Sequence, residues 1–357
     1  MAPSQVTNYK CPNCSGPLVF SGSEQKTVCE YCGSSFDIAE IEFMYASDDT
    51  VEIDPQWDTN QTGRFSSQEA SQMRSYTCPS CGAILICDGS TAATSCPYCG
   101  NPTIIGSQFS GGLKPDLVIP FKLGKAAAVS ALKEYYKGKK FLPKSFVDSN
   151  HIDEIKGVYV PFWLFDGKAN ASMRFRGVKE QRRTSNNKET IHKDYYAIHR
   201  EGSLAFEKVP VDGSSQMPDT HMDAIEPFDY NGLQPFSMAY MPGYLASKYD
   251  EDAEECSKRA NARIQASVES VFAGTVRGYS AVTKEYSRID LSQGNISYAL
   301  MPVWMLSTKW NGQSFLFAMN GQTGKLIGDL PVDNSMYWSA FAKIALPLAG
   351  ILALILL

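Results

Sequence analysis

A chain of 357 residues, 43% hydrophobic and 20% charged, is long enough for two or three domains around one substantial core. Its net charge of −5 excludes a strongly basic or acidic label for the whole chain, and its four histidines leave little material for histidine-based chemistry. The charge is uneven. Residues 1–105 carry four basic side chains (Lys10, Lys26, Arg64, Arg74) against twelve acidic ones, a balance of −8 that leaves +3 for the remainder.

The opening residues, Met-Ala-Pro-Ser-Gln-Val, have no positively charged start followed by an apolar stretch, so no secretory signal is expected. The first dense pattern is Cys11-Pro-Asn-Cys14, fourteen residues, then Cys29-Glu-Tyr-Cys32. The same pattern returns 67 residues later as Cys78-Pro-Ser-Cys81, fourteen residues, Cys96-Pro-Tyr-Cys99. Eight of the ten cysteines are used in this way. Two residues between paired cysteines let one tight turn aim both sulfurs at a single ion, and two such turns complete a tetrahedron. Gly33, Gly82 and Gly100 directly follow three of the pairs and supply the positive φ such turns need. Pro12, Pro79 and Pro97 pre-set the turns. The expectation is two Zn²⁺ ions, one held by Cys11, Cys14, Cys29 and Cys32, the other by Cys78, Cys81, Cys96 and Cys99. All four ligands come from protein, so the sites are structural rather than catalytic. Iron in the same sites is the alternative metal, and redox Cys-x-x-Cys chemistry the competing use, though no βαβ setting accompanies it. Clustered thiolates also point to a reducing compartment, with the soluble part in the cytoplasm.

In chain order the domains read as a first zinc ribbon over 1–40, an acidic polar linker over 41–74, a second ribbon over 75–106, an α+β domain over 107–333, and a terminal segment over 336–357. Each ribbon holds one apolar, β-prone stretch, Pro17–Phe20 and Ala83–Cys87. In the domain, Val118–Phe121 reads as a strand. Lys125–Tyr136 has helical spacing at Ala128, Val129, Leu132 and Tyr136, and strands follow over Val158–Phe165, Ala169–Phe175 and Tyr195–Phe206. Asp250–Phe272 reads as a long helix with Ala253, Cys256, Ala260, Ile264, Val268 and Val271 on one face. Tyr159-Val-Pro-Phe-Trp163-Leu resembles Leu300-Met-Pro-Val-Trp304-Met, which suggests an internal repeat in a mainly antiparallel sheet with inserted helices. The class is α+β.

From Met336 to Leu357 the chain is apolar except for Lys343. A helix over this segment spans about 33 Å, against a hydrocarbon core of about 30 Å. Tyr337 and Trp338 would lie in the interface, and Lys343 would reach the headgroups. The expectation is a C-terminal transmembrane helix, making the protein a single-pass tail-anchored component of the cell membrane.

Other candidates carry less. Asp219-Thr-His221-Met-Asp223 has the residue types of a metal corner, but one such triplet is more often a polar loop. His192 and His199 are seven apart on a strand and face opposite ways. Gly321-Gln-Thr-Gly-Lys325 lacks the flanking residues of a phosphate loop and reads as a hairpin turn. Cys87 and Cys256 fall on apolar faces as core residues, and Trp163 and Trp304 as paired core anchors. Residues 122–144 (seven lysines, one acid) and 174–200 (eight Lys/Arg, three acids) are basic stretches whose simplest use is a solvated surface. Nothing in the chain calls for an enzyme.

The two modules look like TFIIB-type and rubredoxin-like zinc ribbons. Taken with Leu113–Phe121, Phe141–Lys144, Gly157–Trp163, Gly324–Pro331 and the apolar end, the chain resembles the bacterial TFIIB-type zinc-ribbon membrane proteins over nearly its full length. That resemblance implies partners of the SPFH (flotillin-like) and phage-shock-protein-A classes at the cytoplasmic membrane. The expected function is a non-enzymatic adaptor that recruits or assembles with such proteins. The runner-up is a helicase- or transcription-associated nucleic-acid-binding ribbon protein, against which the −8 balance of the ribbon region argues.

Overall fold

The computed structural model describes residues 10–14, 16–21, 26–38, 41, 57–58, 63–89, 95–102, 105–109, 111–149, 152–185, 188–292 and 294–356. Most of the acidic linker lies outside them. In chain order the strands are β1 (Leu18–Ser21), β2 (Lys26–Cys29), β3 (Ser35–Phe36), β4 (Trp57–Asp58), β5 (Met73–Thr77), β6 (Ile84–Asp88), β7 (Ile105–Gln108) and β8 (Leu117–Val118). They continue as β9 (Lys156–Ser185), β10 (Lys188–Asp212), β11 (Gln234–Pro235), β12 (Leu245–Ser247), β13 (Ala281–Leu291), β14 (Gly294–Trp310), β15 (Gln313–Asn320) and β16 (Leu326–Gly328). The helices are α1 (Ser67–Ser71), α2 (Lys125–Tyr136), α3 (Lys144–Ser149), α4 (Asp219–Ile225), α5 (Ala253–Gly274) and α6 (Asn334–Leu356). Among the described residues strand exceeds helix, 43% against 26%, so the α+β expectation is corrected to a predominantly β protein. The physical reason is strand length. The expected break between Phe165 and Ala169 does not occur, and β9 runs on for 30 residues.

Two compact units divide the chain. The first gathers residues 1–55, 168–204 and 265–292. It contains the small antiparallel sheet β1-β2-β3, in register Leu18↔Cys29 and Thr27↔Phe36. It also contains a ladder in which β13 runs antiparallel to the outer half of β9, from Ala281↔Val178 to Leu291↔Ala169, with β10 also paired to β9. Met173, Phe175 and Ile198 of the ladder and Val268 and Phe272 of α5 are buried, whereas Val271 is exposed. The buried face of α5 therefore passes to Phe272 in its last turn. Three of the eight basic residues of the stretch 174–200 are ion-paired here: Arg182 lies 3.6 Å from Glu180 and from Glu189, Lys193 lies 2.9 Å from Glu180, and Arg176 lies 3.3 Å from Glu285.

The second unit comprises residues 56–167, 205–264 and 293–357. Its centre is the strand order β8-β14-β9-β12. β9 and β14 run antiparallel with Val160 opposite Met301, Tyr159 opposite Pro302 and Pro161 opposite Leu300. That register places the two Pro-containing repeats about a local twofold axis through the Val160/Met301 pair. The flanking strands obey the same axis. Val118 lies beside Leu300 in parallel pairing, and Ala246 lies beside Tyr159 in the same way. The helices do too, for α2 starts seven residues after Val118 and α5 seven residues after Ala246. Ala128, Leu132 and Tyr136 of α2 and Cys256, Ala260 and Ile264 of α5 are the matching buried positions. Because side chains alternate along a strand, Val158, Val160, Phe162 and Leu164 share one face with Ala299, Met301, Val303 and Met305 in a common core. On the opposite face, Trp163 and Phe165 pack with Cys256 and Ala260 of α5, while Trp304 and Leu306 pack with Ala128 and Leu132 of α2.

Among the described residues no helix is long and apolar enough to cross a membrane. The expectations of a transmembrane helix over 336–357 and of a single-pass membrane location are corrected accordingly. A helix does form there as α6, but Pro347 sits inside it, and the apolar run after Lys343 covers about 20 Å, short of a hydrocarbon core of about 30 Å. The first turn is tied to the unit instead. Tyr337 packs edge-on against Phe141 at 5.7 Å, and the Asp333 carboxylate accepts from Ser335 N and Met336 N.

Candidate metal centres

Each cysteine pair lies on a tight turn, and three of the four turns are closed by a glycine. Gly33 N donates to Cys29 O (2.8 Å), Gly82 N to Cys78 O (2.9 Å) and Gly100 N to Cys96 O (3.0 Å). The same cysteines donate forward, Cys29 N to Ser34 O, Cys78 N to Ala83 O and Cys96 N to Asn101 O, each at 2.9 Å. Gly33, Gly82 and Gly100 adopt φ of 72°, 79° and 68°, the left-handed conformation that a Cβ disfavours.

These turns gather the eight thiols into two groups of four, each with its sulfurs within 4.8 Å of one another. In the first group Cys14 and Cys29 are 3.4 Å apart and Cys11 and Cys32 are 3.5 Å apart. In the second, Cys78 and Cys99, and Cys81 and Cys96, are each 3.6 Å apart. A tetrahedral ion with metal–sulfur bonds of about 2.3 Å sets its sulfurs about 3.8 Å apart. The separations match that arrangement and exceed the roughly 2.05 Å of a disulfide, and all ten cysteines are free. The thiols differ in electrostatic setting. The Ser34 hydroxyl and N–H lower the Cys32 thiol to about 6, whereas burial pushes Cys81 up to about 11. Four thiolates this close need a divalent cation between them. Both groups fit a metal ion, with all eight expected ligands brought together as assigned.

The surroundings differ sharply. In the first group Cys14 and Cys32 are exposed. The second belongs to the common core of its unit: Cys78 and Cys96 are buried beside Leu85, Val158 and Met305. Its strand β6 pairs with β12, Ala246 opposite Ile86 and Ser247 opposite Leu85. Lys156 Nζ donates to Ser95 O at 2.8 Å and to the Ser95 hydroxyl. A Cβ on Gly100 would come 3.2 Å from Ser307 O. Tyr98, between the last two cysteines, is only 6% exposed, and its hydroxyl is buried without a hydrogen-bond partner among the described residues. The residue at the matching position of the first group is Tyr31, and it is 78% exposed.

Elsewhere no metal corner forms among the described residues. Asp219 lies 3.0 Å from Arg259, Asp223 pairs with Arg263, and His221 points its Nε2 toward Asp329 at 3.2 Å. His192 contacts Asp194 and His199 contacts Ser172, so the two do not converge. Residues 320–325 form a hairpin turn in which Asn320 N donates to Lys325 O. Sequence reasoning missed two groups. Asn320 is fully buried, donates to Ile225 O and accepts from the N–H groups of Gln322 and Thr323. Asp212, 1% exposed, bonds Arg259 at 2.8 Å. A polar residue at a strand end was the available signal for both.

No protein-family model matches the chain, and no solved structure matches it. By sequence it is 33% identical over 340 residues to the uncharacterized protein YdjG of Bacillus subtilis (strain 168). The chain belongs to the YdjG family. The match covers 95% of this chain and 94% of YdjG, so YdjG is a full-length relative rather than a protein sharing one module. The comparisons carry no TFIIB-type description, and what stands on the geometry is a pair of ribbon-like sites of four cysteines each.

Proposed function

We propose that this member of the YdjG family is a non-enzymatic, zinc-binding adaptor whose first ribbon docks protein partners. The observation that carries the reading is the contrast between Tyr98, seated in its own domain, and Tyr31, its exposed counterpart. Large aromatic side chains on a rigid metal-held turn are costly to leave in water and are typical interface anchors. Val19 and Phe20 of β1, on the same small ribbon, are 48% and 50% exposed as well. By sequence, residues 1–55 carry two basic and nine acidic side chains, which suits a partner with a basic rim. Four-thiolate ligation favours zinc and leaves no open coordination position, which supports a structural role. The resemblance noted above supplies the partner classes to try first, SPFH (flotillin-like) and phage-shock-protein-A-type proteins.

The test is binding of the full chain to a purified partner of each class, with Tyr31→Ala and Phe20→Ser variants. Loss of the anchor is expected to weaken binding by roughly tenfold or more. Binding that survives Tyr31→Ala and Phe20→Ser unchanged, or an absence of binding to both classes, would sink the docking role.

A further inference from the structure

The two clusters have the same ligands and spacing but opposite exposure. We propose that the first is a peroxide-reactive modification site, at which oxidation of its cysteines releases the metal, while the second cluster keeps its own.

Three observations carry this. Reaction at sulfur requires access, and Cys14 and Cys32 are exposed, whereas Cys78 and Cys96 are buried and Cys81 and Cys99 are half-buried. Second, each exposed sulfur has a buried sulfur waiting for it across the cluster, Cys29 at 3.4 Å from Cys14 and Cys11 at 3.5 Å from Cys32. A sulfenic acid formed on either exposed residue therefore meets a resolving thiolate without chain rearrangement. Third, the second cluster is fastened on several sides, by the β6–β12 pairing, by the Tyr98 ring buried in the common core, and by Lys156 on Ser95. Among the described residues, the small sheet that carries the first cluster is made of β1, β2 and β3.

The chemistry balances with hydrogen peroxide as the oxidant. The Cys14 thiolate attacks one peroxide oxygen, the O–O bond breaks, and hydroxide leaves to be protonated to water. The Cys29 thiolate then attacks the sulfenic sulfur, forming a disulfide and releasing a second hydroxide, again protonated. Cys32 and Cys11 repeat the sequence. Four thiolates, two peroxides and four protons give two disulfides, four waters and one free Zn²⁺. The four electrons lost by sulfur are those gained by peroxide oxygen. Without its ion a module this small loses what holds its turns together. On the adaptor reading, Tyr31 would then be presented only while the thiols are reduced; the chemistry itself does not depend on that reading.

The test uses the full zinc-loaded chain, hydrogen peroxide, and the chromophoric chelator 4-(2-pyridylazo)resorcinol, with peptide mass spectrometry of the products. The expected result is release of one zinc per chain, disulfides confined to the peptides bearing Cys11, Cys14, Cys29 and Cys32, and reduced thiols at Cys78, Cys81, Cys96 and Cys99. The second zinc should appear only when denaturant is added. Release of both ions at one rate, oxidation of the second cluster first, or no release before denaturation overturns the proposal. No partner protein is present, so the outcome is separate from that of the docking test.

Discussion

Trp163 and Trp304 make the same hydrogen bond on the two sides of a local twofold axis. Trp163 Nε1 donates to Glu251 O at 3.0 Å, and Trp304 Nε1 donates to Leu123 O at 2.9 Å. Glu251 and Leu123 each lie two residues before a helix, α5 and α2. Each tryptophan thus ties its strand to the entry of the helix that covers it. Behind each, a glycine N–H closes onto the repeat proline, Gly213 to Pro161 O (2.9 Å) and Gly321 to Pro302 O (2.8 Å). The symmetry is broken at the flanks. β12 carries the second ribbon through β6, whereas the matching strand β8 carries β11, Gln234 opposite Val118. Among the described residues, only one half of the pseudo-symmetric sheet carries a four-cysteine cluster.

Matched roles predict matched costs. Trp163→Phe and Trp304→Phe each remove a buried indole donor, leave a carbonyl without its partner and open a small void. Each should cost about 2–3 kcal/mol. Urea unfolding of the two variants should therefore give similar losses. A loss near zero at one position with a full loss at the other would show that the two bonds do different work.

Unmatched settings predict unmatched costs for the ligands. Metal analysis of the intact chain should return two zinc ions, and Cys96→Ser and Cys29→Ser should each return one. The Cys96 variant should also lower the main unfolding transition, because Cys96 lies in the common core with Leu85 and Met305. The Cys29 variant should leave that transition in place. Equal effects on the main transition would contradict the burial difference.

Tyr98 separates ring from hydroxyl. Its ring is buried in the core beside Cys96, and its hydroxyl is buried there without a hydrogen-bond partner among the described residues. Tyr98→Phe should be neutral or slightly stabilising, because the buried hydroxyl has no partner to lose, whereas Tyr98→Ala should cost about 3–5 kcal/mol, with faster loss of the second zinc to a chelator. Zinc loss from Tyr98→Ala at the wild-type rate would mean that the socket does not hold the cluster.

How much of this the sequence showed depends on range. The two four-cysteine clusters were readable because such a cluster writes itself as local spacing. The helix Lys125–Tyr136 was readable because its buried stripe repeats every turn. The proline–tryptophan repeat was visible at Trp163 and Trp304, but its meaning, an antiparallel pair about Val160/Met301, is a register between strands over a hundred residues apart and leaves no local mark. The opposite fates of Tyr31 and Tyr98 were invisible for the same reason, since the two turns are nearly identical and only what packs against them differs. The terminal apolar run misled because hydropathy counts residues and takes no account of Pro347 or of the packing of Tyr337 on Phe141.

The carboxylate of Asp212 gives a prediction in pH. Burial pushes it up to about 6, against the opposing pull of the Arg259 guanidinium 2.8 Å away. Its ordinary value, and its value in the unfolded chain, is near 3.8. A carboxyl whose folded value is raised binds its proton more tightly in the folded state. Its contribution to stability is therefore fully present below pH about 4 and is lost as pH rises through about 6. A shift of this size corresponds to about 3 kcal/mol at most. Glu226 and Glu251 are raised by burial as well and add slope of the same sign. Stability measured by denaturant between pH 4 and 7 should therefore fall more steeply with rising pH in the native chain than in Asp212→Asn. The difference should be confined to that window, because asparagine does not titrate there. Parallel profiles for the two proteins would mean that Asp212 keeps an ordinary carboxylate value despite its burial, with Arg259 fully offsetting the loss of water.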